Sequence, residues 1–195
     1  MQTYVISKEG SRFSIDHFPW VKDFPATPKT EAVLSWDEGG INVHFVSYET
    51  NLRAVETAHN TPVCEDSCME LFMQFAPETD VHYVNIEINP NGAALSSVNV
   101  RRGESERISP EEIDKLGIRT QIFDDRWEID YRIPADWITR RVPTYRHGEG
   151  AVLRGNLYKC GDETAVPHYG SWSRVGTENP DFHRPEYFGE LVIAQ

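Results

Sequence analysis

The last quarter of the chain concentrates side chains that could bind a polar ligand. Residues 151–159 alternate like a β-strand, and the polar face of that strand carries Arg154, Asn156 and Tyr158. The loop predicted to follow it adds aromatic rings and histidines. Rings beside amide and guanidinium donors are typical of a sugar site, because the ring covers apolar C–H groups while fixed donors bond to hydroxyls.

Trp172 is the strongest candidate for an aromatic platform in this loop. It lies in Gly170-Ser171-Trp172-Ser173, where small neighbours would leave a ring face open. The alternative is a tryptophan that pins its own loop, since an exposed indole is costly unless it packs or binds. Tyr169 is a weaker candidate of the same kind. His168 and His183 could donate to hydroxyls or, as is more common, cap the loop.

Two earlier strands present an unusual polar face. One offers Glu70 and Gln74, and the other offers Asn85 and Glu87. Short amides and carboxylates, in place of the lysine, threonine and serine of a solvated sheet face, predict a polar groove. If the strands are neighbours, Glu70 or Glu87 could pair with Arg154 and fix its donors for a pyranose. A purely structural salt bridge is the open alternative.

The two carboxylates also allow an enzymatic interpretation. A glycoside hydrolase needs two acids roughly 5–10 Å apart across the bond it cleaves, and Glu70 and Glu87 are candidates. The chain has no HExxH motif, no glycine-rich phosphate loop and no serine-histidine-aspartate motif. We therefore favour binding without catalysis and keep weak hydrolysis as an alternative.

Metal binding is conceivable but not required, and no other cofactor is implied. Pairs of acidic residues could supply oxygen ligands to a structural Ca²⁺, although none has EF-hand spacing. The pairs are Glu65-Asp66, Asp124-Asp125 and Asp162-Glu163. Cys64 and Cys68 with His59 could be considered for zinc, but their spacing is loose and a fourth ligand is not evident, so reduced thiols are favoured.

Charge and composition narrow the ligand classes. The chain has 195 residues, of which 39% are hydrophobic and 26% charged, as expected of one folded domain. Its net charge of −12 argues against nucleic acids and anionic membranes, which attract clustered lysine and arginine. The sequence shows neither a signal-peptide core nor a membrane span, which predicts a cytoplasmic protein as it stands, or a secreted one if a signal has been removed.

The spacing of apolar residues predicts an all-β fold. Short runs with period-two alternation are separated by turn residues, which indicates an antiparallel, jelly-roll-like β-sandwich in a single domain, residues 1–195. Residues 2–7 read as an edge strand, and 11–28 as an irregular wrap in which Trp20 packs on the sandwich. One short helix is expected from Ser109 to Leu116, and a helical turn from Pro134 to Thr139.

Five motifs in this order resemble the family 9 carbohydrate-binding modules over nearly the whole chain. They are DSCMELF (66–72), YVNIEINPNG (83–92), WEIDYRIP (127–134), RGNLY (154–158) and PDFHRPEYFG (180–189). The resemblance implies an antiparallel β-sandwich that binds glucans or xylans, often at a chain end, in carbohydrate catabolism beside glycoside hydrolases, with structural calcium in some members. It also implies that Trp172 is one of two clamping tryptophans and that Glu70, Arg154 and Asn156 contact hydroxyls.

The second clamping tryptophan of the family has no counterpart here. It would lie just before the Asp66 motif, where residues 59–64 contain no aromatic side chain. Tyr48, Tyr169 or another ring would have to replace it. A third interpretation is therefore a protein-interaction domain that keeps only the fold.

Overall fold

The computed structural model describes residues 3–195, which form two stacked β-sheets and two short helices. The first seven strands are β1 (Thr3–Ile6), β2 (Ser11–Ile15), β3 (Thr30–Asp37), β4 (Gly40–Ser47), β5 (Cys68–Gln74), β6 (Tyr83–Ile88) and β7 (Ala94–Arg101). The others are β8 (Glu104–Arg107), β9 (Arg119–Ile122), β10 (Trp127–Pro134), β11 (Val152–Gly161), β12 (His168–Ser171) and β13 (Gly189–Ile193). The helices are α1 (Pro110–Asp114) and α2 (Ala135–Arg141).

The large sheet holds eight strands in the order β1-β13-β11-β5-β6-β7-β8, with β12 also paired to β11. The small sheet holds β2-β3-β4-β10-β9. All the pairings are antiparallel except that of β1 with β13. The predicted β-sandwich is confirmed.

The main core lies between the two sheets. Along β5, Met69, Leu71 and Met73 point inward, where they meet residues such as Leu34 and Phe45 of the small sheet. Each of these five side chains is at most 1% exposed. Burying a side chain of this size contributes about 1.5–3 kcal/mol, so the alternation along these strands fixes which face of the large sheet turns outward.

The outer face of the large sheet is also covered, which a simple sandwich does not require. Phe72, Tyr83 and Tyr158 form a second apolar cluster there with Phe182 and Trp20 from the loops above. All seven residues of β5 are consequently buried. This covering converts part of an outer sheet face into a pocket.

Several local predictions need correction. Residues 11–15, predicted to be irregular, form strand β2, and the wrap begins after them. Strands β8 and β12 were not predicted, because each has only four residues and β12 carries polar and glycine positions. The predicted edge strand is found at Thr3–Ile6, while position 2 lies outside the described residues. Among residues 3–195, no helix has the length and apolar character of a membrane span.

Candidate functional site

A pocket of about 170 Å³ opens on the outer face of the large sheet, and we call it the outer-face pocket. Strands β5, β6 and β11 form its floor, and the 180–183 segment and β12 form its walls. It is lined by Cys64, Glu70, Phe72, Glu87, Arg102, Cys160, Asp162, Tyr169, Pro180, Asp181, Phe182 and His183. Four of the eight predicted ligand-binding residues therefore meet here.

Glu70 and Glu87 lie side by side in the floor. They are directly opposite each other across the β5–β6 pair, and their side chains are 2% and 5% exposed. Burial raises the pKa of Glu87 to about 7. Burial, followed by repulsion from Glu87, raises the pKa of Glu70 well above its ordinary value. Near neutral pH the floor can therefore hold a proton and can both donate and accept hydrogen bonds.

Asn85 orients Glu87 from behind. Its Oδ1 accepts from the Ser97 backbone N–H at 3.0 Å and from Asn99 Nδ2 at 2.7 Å. Its Nδ2 must then face the Glu87 carboxylate, to which it donates at 2.7 Å. Asn85 is itself buried and does not line the pocket, so its role in this geometry is to position a carboxylate.

His183 supplies a polar group in the wall. Its Nδ1 lies 2.9 Å from the Tyr83 hydroxyl. Burial, with help from Arg102, lowers the pKa of His183 to about 4, so the ring is neutral at pH 7. When Tyr83 donates to Nδ1, the ring proton lies on Nε2 and is available to a second partner. Arg102 is held at the rim by Asp181, at 2.6 Å.

Aromatic surface comes from Tyr169 and Phe182, whose ring centroids are 6.3 Å apart. Phe182 stacks on Tyr158 with centroids 4.0 Å apart and is 9% exposed. Tyr169 is half-buried and packs edge-on against Phe24. Tyr169 therefore offers the more accessible ring of the two.

The charge around the pocket is mostly acidic. Four carboxyl groups and one arginine line the pocket, and that arginine forms an ion pair with Asp181 at the rim. Burial raises the pKa of Asp162 as it does that of the floor carboxyls. Such a pocket disfavours phosphates and other anions, and it favours neutral ligands that carry several hydroxyls.

Comparison with known families identifies the fold. The family described as "Carbohydrate-binding family 9" matches residues 2–193. The chain belongs to this family. No curated protein matches it at a significant level.

Solved structures agree with the family 9 assignment. A protein of Bacteroides uniformis ATCC 8492, titled a "putative carbohydrate-binding protein", is 26% identical with a TM-score of 0.87, covering 98% of this chain and 99% of the other. A family 9 module of Caldicellulosiruptor kristjanssonii in complex with glucose is 12% identical with a TM-score of 0.64, covering 98% and 95%. The same organism's family 9 module in complex with cellotriose is 12% identical, has a TM-score of 0.65 and covers 99% and 94%.

The structure does not place Trp172 at the outer-face pocket of this family 9 domain. The predicted open ring face is wrong, because the indole is 8% exposed and packs edge-on against Tyr4 and Phe13, with centroids 4.7 and 5.2 Å away. The ring occupies space left by Gly189. Its remaining surface lines a separate depression that Tyr187 also lines. The role of Trp172 in ligand binding stays a prediction for that depression.

Arg154 does not pair with the floor carboxylates. It lies opposite Gln74, whereas Glu70 lies opposite Tyr158, four residues further along β11 and so about 13 Å away. The predicted pairing of Arg154 with Glu70 or Glu87 is therefore wrong. Its guanidinium instead faces backbone carbonyls of the turn that precedes β13, Phe188 among them at 3.3 Å.

Asn156 is fully buried, and its polar atoms already have partners. Its Nδ2 donates to the Ser173 carbonyl at 2.8 Å, and its Oδ1 accepts from the backbone N–H groups of Leu157 and Ser173. In this conformation it holds the loop after β12 against β11, and its side chain does not line the pocket.

Sequence reasoning missed several lining residues. The sequence marks Asp162 only as a candidate calcium ligand, and Asp181 and Phe182 only as part of a family motif, yet all three line the pocket. Arg102 lies in the β7–β8 turn, which no alternation marks. Asp162 and Tyr169 come together only through the pairing of β11 with β12, at the end of the strand that carries Cys160, and no local sequence pattern marks that pairing.

The metal expectations can be located in the structure. Asp66, one of the proposed calcium ligands, is fully buried, and its oxygens accept from the backbone N–H groups of Val55 and Glu56, Asn89 and Arg53. His59 accepts the Ala94 N–H and contacts Asp114, and it belongs to no potential metal cluster found in residues 3–195. The one such cluster found there joins Cys68, Glu70 and Cys160.

Proposed function

We propose that the outer-face pocket binds a terminal unit of a neutral glucan or xylan oligosaccharide without cleaving it. The observation that carries this proposal is a small pocket in which aromatic rings stand above buried carboxyl groups. Tyr169 would cover the apolar face of a pyranose, while Glu70, Glu87 and His183 would bond to its hydroxyls.

The size of the pocket supports binding of a chain end. Its volume of about 170 Å³ is below the roughly 300–1,000 Å³ of pockets for drug-sized ligands. One monosaccharide unit suits such a pocket better than an internal stretch of polymer does. The glucose and cellotriose complexes of the Caldicellulosiruptor kristjanssonii family 9 modules support a glucan as the ligand class.

The placement of the carboxyl groups favours binding over hydrolysis. Glycosidases place their two acids on opposite sides of the scissile bond. Glu70 and Glu87 are cross-strand neighbours, and both carboxyl groups lie in the floor of the pocket. A bound sugar would therefore have both acids on one side. Hydrolysis of an aryl glycoside that disappears in Glu70→Gln would contradict this proposal.

A glycan array, probed with and without Ca²⁺, tests the proposal and names the sugar. We expect the wild type to retain glucan or xylan oligosaccharides and Tyr169→Ala to lose them. Tyr169→Phe, which keeps the ring and removes only the hydroxyl, is the matched control and should keep binding. A signal that depends on Ca²⁺ would support the structural calcium proposed for this chain.

Trp172→Ala tests whether sugar binds in the outer-face pocket or in the depression beside Tyr187. Because Trp172 lies outside the outer-face pocket, sugar binding should survive this change in protein that remains folded. Loss of binding in folded Trp172→Ala, with binding kept in Tyr169→Ala, would move the site to the depression beside Tyr187. A blank array with folded wild type would favour the interaction-domain alternative, which light scattering after size exclusion would test.

A further inference from the structure

We propose that Cys68, Glu70 and Cys160 form a zinc-binding site in the floor of the outer-face pocket. The register of the sheet creates this cluster. Cys68 and Cys160 are directly opposite each other across the β5–β11 pair. Glu70 follows Cys68 by two residues and so points to the same face of the strand.

The ligand atoms are already close enough for one metal ion. The two Sγ atoms and a carboxylate oxygen of Glu70 all lie within 4.8 Å of one another, and Cys160 Sγ is 2.8 Å from Glu70 Oε1. Tetrahedral zinc, with bonds of about 2.3 Å to sulfur and 2.0–2.2 Å to oxygen, needs ligand atoms roughly 3.3–3.8 Å apart. The widest separation in the cluster, at most 4.8 Å, exceeds that spacing by about 1 Å, and the Cys160–Glu70 contact would have to lengthen.

The donor set selects zinc over calcium or magnesium. Two thiolates are soft ligands, whereas calcium and magnesium prefer oxygen. All three cysteines of the chain are free thiols, so both ligand sulfurs are available. Zinc binding would release to the solvent one proton from each ligand thiol and any proton that Glu70 carries.

The surroundings of Glu70 supply a second reason. This buried carboxylate has no ion-pair partner among the basic groups of residues 3–195, because Lys159 extends from the opposite face of β11 and pairs with Glu49 at 2.9 Å. Ionising a buried carboxyl group without a nearby cation is costly, and a divalent metal between Glu70 and the thiols would offset that cost.

Access to the metal would come from the pocket. Glu70 and Cys160 line it, and Cys68 lies beneath them, fully buried. Cys64 lines the same pocket but lies outside the three-residue cluster, which makes it the natural control. The zinc site shares Glu70 with the proposed sugar site, but its two cysteine ligands do not depend on sugar binding and a metal titration needs no sugar, so the two proposals can fail separately.

Cobalt titration of the reduced, metal-free protein tests the site without any sugar. We expect one equivalent of Co²⁺ to give the near-ultraviolet thiolate-to-cobalt charge-transfer band, and zinc to abolish it by displacement. Cys68→Ser and Cys160→Ser should lose the band, whereas Cys64→Ser should keep it. Circular dichroism would establish that each variant is folded.

Three results would overturn the proposal. One is the absence of a charge-transfer band in folded, reduced wild type, a measurement that does not depend on any variant. Another is a band that persists in folded Cys68→Ser and Cys160→Ser, or that disappears in Cys64→Ser. The third is peptide mapping that finds Cys68 disulfide-bonded to Cys160 in the protein as isolated.

Discussion

Replacing Glu87 with glutamine should stabilise the protein at alkaline pH and leave its stability almost unchanged at acid pH. The carboxyl group is 5% exposed, and its pKa is raised from 4.5 to about 7 by burial. Between these values the folded state binds more protons than the unfolded state, so the stability of the wild type falls as the pH rises. Glutamine keeps the shape, can still accept from Asn85, and cannot ionise.

The magnitude follows from the pKa shift. A difference of 4.5 to about 7 corresponds to about 3 kcal/mol in the free energy of unfolding once the pH exceeds both values. The advantage of Glu87→Gln over the wild type should therefore be close to zero at pH 4, grow between pH 4.5 and 7, and level off near pH 8.

Urea denaturation from pH 4 to 8.5, in the presence of a chelator, measures this difference. Glu163→Gln is the matched control, because it removes the same charge from an exposed neighbour of the pocket. Subtracting its small effect isolates the contribution of burial. A Glu87→Gln advantage that is independent of pH, or a variant less stable than the wild type at pH 8, would refute the assignment of Glu87 as a buried group that ionises at a free-energy cost.

Three further substitutions test how the loops are fixed to the large sheet, each by urea denaturation. Gly189→Ala would place a methyl group 2.5 Å from the Trp172 ring and should destabilise the fold by about 1–3 kcal/mol, with altered tryptophan fluorescence. Asn156→Ala should cost about 2–3 kcal/mol, because it leaves the buried N–H of Leu157 and the part-buried backbone N–H and carbonyl of Ser173 without their partner. Asp66→Ala should cost about 3 kcal/mol, since it removes the buried acceptor of two backbone N–H groups and the partner of Arg53.

Small effects would contradict these interpretations in different ways. A neutral Gly189→Ala would mean that Trp172 can move outward. A neutral Asn156→Ala would mean that the loop after β12 is held by its apolar side chains alone. A neutral Asp66→Ala would indicate that the 53–56 segment folds without its carboxylate anchor.

The sandwich could be predicted from the sequence because its strands alternate cleanly. In β10, Trp127, Ile129 and Tyr131 face the core while the residues between them face outward, and a period of two admits no other assignment. Strand β12 could not be predicted, because His168 to Ser171 carry no such pattern and are defined only by their pairing with β11.

The candidate site was predictable in part for a related reason. Glu70, Asn85 and Glu87 lie on adjacent strands whose polar alternation is visible in the sequence, so their meeting could be expected. The direction of Trp172 could not, since it depends on the space left by Gly189 in a strand 17 residues further along the chain. Residues that tertiary packing brings to the pocket, such as Arg102 at its rim, are not marked by any local sequence pattern.

Calorimetric titration with cellotriose tests most directly whether the outer-face pocket binds sugar. The wild type and Tyr169→Phe should bind one equivalent, and Tyr169→Ala should bind at least about tenfold more weakly, because an anchoring ring is worth more than about 1.4 kcal/mol. Equal affinity in folded Tyr169→Ala and wild type would show that the sugar binds elsewhere. No heat of binding from folded wild type, with cellotriose and with the glycans of the array, would contradict sugar binding itself.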